Sequence, residues 1–156
     1  MEPLHLLYAF VLAVINFPIV YFVGRRVARQ NVKRVYAPVA DAGQLSREKR
    51  NSITTTPVHA LILCGLLLSG ALKPAAETVW LAAQSFAITL LWTEVWHYFS
   101  HRAMHHRRLL FIHREHHLSF ITNPWTSVSF SFLEKFIFSA GILGFMAALS
   151  QVAPVS

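Results

Sequence analysis

EVWHYFSHRAMHHRRLLFIHREHH, residues 94–117, is the stretch around which the rest of the chain is read. Seven of the nine histidines stand in it: His97, His101, His105, His106, His113, His116 and His117. A proportional share of nine in 156 residues would put roughly one in a window of that size. Neutral imidazole is the commonest protein ligand for zinc, iron, copper and nickel, and one ion seldom takes more than three or four. On a helix, His97, His101 and His105 recur every four residues and share one face. His113, His116 and His117 stand at i, i+3 and i+4, and the adjacent pair diverges by about 100°, enough to reach two different ions. One metal would leave ligands over, whereas two metals held between two helical pieces would use most of them. His106 points sideways off the first stripe and is the doubtful member.

Around this stretch the chain is apolar. Hydrophobic residues make up 54% and charged ones 13%, with a mean hydropathy of +0.45, which suits a chain whose solvent is largely lipid. The pattern predicts an all-α, multi-pass transmembrane bundle of about four spans, with the histidine-bearing helices at the cytoplasmic interface. The first run is Leu4–Val23, 20 residues and so about 30 Å of helix, the thickness of a hydrocarbon core. A shorter run, Val58–Leu72, is opened by Pro57 and closed by Lys73 and Pro74. The third, Val79–Phe99, reaches about 40 Å if it continues to His105, so the histidine stripe emerges at the interface. The last, Val128–Leu149, is interrupted by Glu134 and Lys135, both expected at the inner interface.

The net charge of +7 is distributed in a way that excludes a nucleic-acid partner. Residues 24–56 form a basic cytoplasmic connection, and Arg102, Arg107, Arg108 and Arg114 flank the histidines. This is how positive-inside topology is written, and anionic lipid headgroups are the natural counter-charge. The expectation is an integral membrane protein with its histidines facing the cytoplasm, in a bacterial inner membrane or the endoplasmic reticulum. The lone Cys64 rules out an internal disulfide. His5 lies at the far end from the cluster; His59 lies on its side and reads as an interfacial histidine.

HRAMH at 101–105 followed by HREHH at 113–117, after an apolar span, resembles the first two histidine boxes of the fatty acid hydroxylase and sterol desaturase superfamily. Residues 94–99 and the stretch from Pro124 to Glu134 fit the same framework, so the resemblance covers roughly residues 90–135. It implies two iron ions in a non-haem di-iron centre, held by His97, His101, His105, His113, His116 and His117, with O2 as co-substrate. It also implies hydroxylation or desaturation at an unactivated C–H bond of a membrane lipid substrate, a fatty acid, sterol or related lipid. Electrons would come from a donor protein such as a ferredoxin or a cytochrome b5-type donor. Neutral imidazoles leave the metal charge uncompensated, and carboxylates that accept their other N–H also orient them. Glu94, one turn before His97, is the candidate for that catalytic task, while Glu115 reads equally well as a solvated residue.

Members of the superfamily carry a third histidine cluster downstream and a histidine just before the Leu-Glu that Leu133-Glu134 resembles. Here the sequence reads Phe130-Ser131-Phe132-Leu133-Glu134, and no histidine follows His117. Residues 1–156 are therefore expected to form a single membrane domain corresponding to the N-terminal part of a fatty acid hydroxylase domain, or a truncated or inactive relative with no complete metal centre. Two other classes fit less well. A bis-histidine haem needs only two axial ligands, and a zinc hydrolase of the HExxH type would need glutamate where HRAMH has arginine.

Overall fold

The computed structural model describes residues 40–73 and 78–152, with positions 11, 18, 19, 21–23, 25 and 26 of the N-terminal segment. Most of the expected first span, Leu4–Val23, and of residues 24–39 lies outside the described residues, as does His5.

Asp41 starts the first described helix, α1 (Ala42–Leu68), by accepting the Gln44 N–H at 2.7 Å. The helix then runs for 27 residues, about 40 Å, through the second half of the polar stretch and through Pro57. The apolar run that follows Pro57 is thus extended back through the Thr residues, and Val58–Leu68 is the second half of a helix that begins at Ala42. Side-chain chemistry explains the extension. The hydroxyls of Ser52, Thr54, Thr55 and Thr56 each donate to the carbonyl four residues back, at 2.6–2.9 Å. The polar run is thereby satisfied inside the helix instead of breaking it. Gly70, at φ 71, supplies the left-handed residue that turns the chain after Leu68.

Thr78 caps α2 (Val79–Met104) by accepting the Leu81 N–H at 3.1 Å. A tight turn at 105–109 leads into the short α3 (Leu110–His117). An irregular segment with one 3-10 turn, Thr126–Val128, then reaches α4 (Phe132–Val152). Ser131 caps α4: its Oγ accepts the Glu134 N–H at 3.1 Å and donates to the Ile112 carbonyl of α3 at 2.6 Å. No strand occurs among the described residues. Two helices, α1 and α4, are long and apolar enough to cross a membrane. At 26 residues α2 has the length, and Gln84, Thr93, Glu94 and its histidines interrupt its apolar run.

The helix α4 packs on both α1 and α2. It runs antiparallel to α2, since Trp92 Nε1 donates to the Gly141 carbonyl at 3.0 Å while His97 meets Phe138 further toward the start of α4. It runs parallel to α1, because Gln151 Nε2 donates to the Ala71 carbonyl at 2.6 Å and Ser150 Oγ accepts the Lys73 N–H at 3.1 Å where the two helices end. One end of the bundle therefore gathers the start of α1, the end of α2, α3 and the start of α4. Large apolar side chains stay exposed on α2, among them Trp80, Phe86, Leu91 and Phe99. So much outward apolar surface suits lipid contact.

Gly141 sets the crossing of α2 and α4. A Cβ there would fall 2.0 Å from the Trp96 ring, whereas one at Gly144 would meet nothing within 4 Å. Gly141→Ala is expected to destabilise the detergent-purified chain by about 1–3 kcal/mol, as overpacking does, and Gly144→Ala to leave it near the parent. Thermal melting of the two variants side by side checks this.

Candidate metal centre

The last turns of α2 carry His97, His101 and His105 on one face, and the 105–109 turn brings α3 back against it. The meeting is ring to ring. His113 of α3 lies 4.4 Å from His101 and 5.1 Å from His105 between ring centroids, and 5.2 and 4.6 Å from His116 and His117 of its own helix. His105 also meets His117 at 4.8 Å. His97 sits one turn up, against His101 and Phe138. His106 is exposed and accepts the Arg108 N–H, outside these contacts.

Within the cluster, ring nitrogens of His101, His105 and His113 all lie within 4.8 Å of one another. The Nε2 atoms of His101 and His105 are 3.0 Å apart. Two imidazoles on one cation, at bond lengths of about 2.0–2.1 Å, hold their nitrogens about 3 Å apart, so this spacing fits a shared ion.

His113 is the centre of the arrangement. It is 1% exposed, and burial, followed by the charges of His101, His117, His116 and His105, pushes its pKa down to about 4. It is therefore neutral at pH 7, the form that binds metal. Its Nδ1 lies 2.6 Å from Glu134 Oε1, and the natural assignment has the imidazole donating to the carboxylate. That fixes the tautomer and leaves Nε2 as the lone-pair nitrogen. Among the described residues His113 Nε2 is buried with no hydrogen-bond partner, as are His116 Nδ1 and Glu134 Oε2. Unpaired buried polar atoms are unfavourable. Three of them around one imidazole cluster fit a cation, so the residues present suit a metal.

The carboxylate at the cluster is Glu134, not the expected Glu94. Glu94 is exposed on α2 and makes no hydrogen bond or ion pair among the described residues. Glu134, expected at the inner interface, is 2% exposed and points at His113. The sequence held one sign of this. Ser131-x-x-Glu134 ahead of an apolar run is a helix-capping pattern, and the observed cap puts Glu134 in the first turn of α4 beside α3. Glu115 stays at the rim, where its Oε2 accepts from Asn51 Nδ2 at 3.4 Å.

Beside the cluster opens a cavity of about 420 Å³. It is lined by His97, His101, His113, His116 and Glu134, by the apolar Met104, Phe130 and Phe138, and by Thr122, Asn123, Thr126 and Ser127. His116 stacks on Phe130 at 5.8 Å.

Fold and site together define a helical protein with two helices apolar enough for a membrane and a histidine cluster of metal-ligating geometry. Residues 86–155, which include both boxes and Glu134, match the family model described as Fatty acid hydroxylase, consistent with the fatty acid hydroxylase and sterol desaturase superfamily. No curated protein and no solved structure matches the chain.

If Glu134 orients His113, Glu134→Ala is expected to weaken Co(II) or Zn(II) binding about 10–100-fold. Glu94→Ala is expected to leave it unchanged. Titration of the detergent-purified variants with either metal checks both.

Proposed function

We propose that this chain is a membrane oxidoreductase of lipid metabolism that carries out O2-dependent hydroxylation or desaturation at a C–H bond of a fatty acid, sterol or related lipid. The observation that carries the reading is His113: buried, neutral, oriented by Glu134 and surrounded by four more imidazoles, with its ligand nitrogen unpaired. The match of residues 86–155 to the Fatty acid hydroxylase family model supports an oxygenase chemistry for that cluster.

In this reading His101, His105 and His113 hold one iron, and His97, His116 and His117 complete the surroundings of a second. Two irons bound there supply O2 activation and the removal of hydrogen from an unactivated C–H bond. The protein's own part is positional. Glu134 holds the His113 ring in one tautomer and adds negative charge that offsets that of the cations. Met104, Phe130 and Phe138 give a lipid chain an apolar wall beside His97 and His101, and keep water from the reacting carbon. Exposed Arg102, Arg107, Arg108 and Arg114 next to the boxes suit an acidic electron donor of the ferredoxin or cytochrome b5 type, on the cytoplasmic side of a bacterial inner membrane or the endoplasmic reticulum.

A second reading, a relative without a complete centre, draws on Phe132, which stands just before Leu133-Glu134 where the family places a histidine. In this structure Ser131 serves α4 as a cap and binds the Ile112 carbonyl.

Iron-loaded protein in lipid nanodiscs, given reductant, a donor protein and 18O2, separates the two readings. The oxygenase reading expects hydroxylated lipid carrying 18O, or a new double bond, dependent on O2 and abolished in His113→Ala. Lipid unchanged with iron bound would favour the second reading.

A further inference from the structure

The helix α1 lies wholly before the family-matched residues 86–155, yet it brings a fully buried carboxylate to the histidine end of the bundle. Glu48 is 0% exposed. Its Oε1 accepts from Gln44 Nε2 at 2.8 Å and from Thr126 Oγ1 at 3.2 Å, and its Oε2 accepts from Asn123 Nδ2 at 2.5 Å. Gln44 adds a second tie, donating to the Ile121 carbonyl at 2.6 Å, and Arg47 donates to the Leu118 carbonyl at 2.7 Å. A buried carboxylate is strongly unfavourable unless its oxygens are hydrogen-bonded. Two of the three donors that satisfy Glu48 come from the segment that follows the second box directly. Asn123 is fixed in turn, because its Oδ1 accepts the Trp125 N–H at 2.8 Å.

That segment lines the same cavity as the histidines, through Asn123 and Thr126. It also leads to Phe130, which stacks on the His116 ring at 5.8 Å between centroids. His116 Nδ1 is buried without a partner among the described residues. The ring stacks both on His113 of its own helix, at 5.2 Å, and on Phe130, which continues the segment tied to Glu48.

We propose that Glu48 is a positioning residue of the metal centre: by holding Asn123 and Thr126 it fixes the wall behind the second box and the orientation of His116, which makes α1 part of the site. This rests on the metal reading above.

The hydrogen-bond pattern supplies the test. Glu48→Gln sets an amide N–H against the Asn123 amide, and Asn123→Asp sets a second carboxylate against Glu48. In the double variant the amide introduced at position 48 would donate to the carboxylate introduced at position 123 and still accept from Gln44 and Thr126, so every bond regains a donor and an acceptor. The full chain in detergent is followed by amide hydrogen exchange over 118–128 and by Co(II) titration. Each single variant is expected to speed exchange in that segment and to weaken Co(II) binding roughly tenfold or more, and the double variant to recover both. Faster exchange with Co(II) affinity unchanged would reduce Glu48 to a structural residue and overturn the proposal. Unchanged exchange, or a double variant no better than the singles, would overturn it too. A parent chain that binds no Co(II) would instead bring down the metal reading, and this inference with it.

Discussion

The hydrogen bond between His113 and Glu134 is the contact on which the site depends. It joins the second histidine box to the first turn of α4 across 21 residues of sequence, at 2.6 Å and out of solvent. Each partner requires the other. A buried carboxylate without a donor, or a buried imidazole with neither nitrogen engaged, would favour unfolding or rearrangement of this end of the bundle. Around the pair the other elements take their places. Ser131 caps α4 and grips α3, Gly141 lets α2 close on α4, and α2 thereby brings His101 and His105 to the free face of the His113 ring.

The pair also explains why so many imidazoles tolerate one another. Burial first, and then the charges of neighbouring imidazoles, hold His101, His113 and His116 below the ordinary imidazole pKa. His113, the most buried, is held neutral by desolvation and by its neighbours. Each neutral imidazole offers one lone-pair nitrogen, and a multivalent cation is the partner that such a cluster favours. The cavity against the same histidines is lined in part by the apolar side chains of Met104, Phe130 and Phe138.

Much of this was legible in the chain. The four-residue recurrence of His97, His101 and His105 and the i, i+3, i+4 grouping of His113, His116 and His117 depend on helix geometry alone, and both helices formed. The separating RRLL turn was short enough to fold them together. Contacts between distant residues were not legible. Glu94 lies near the boxes in sequence, but its register on α2 turns it outward, whereas Glu134 arrives from another helix. Glu48 and Asn123 are 75 residues apart and meet only because α1 and α4 run parallel. The start of α1 was hidden for a different reason. Its serine and threonine run looks like a break until the hydroxyls are seen bonding back to the helix carbonyls.

The central claim is that the two boxes form a metal centre around His113. Its most direct measurement is iron per polypeptide in the detergent-purified chain reconstituted with Fe(II), for the parent and for His113→Ala. Close to two irons in the parent, falling sharply in the variant while its melting still shows a folded chain, is the predicted result. A parent without iron, or a variant that keeps the full complement, would contradict the account.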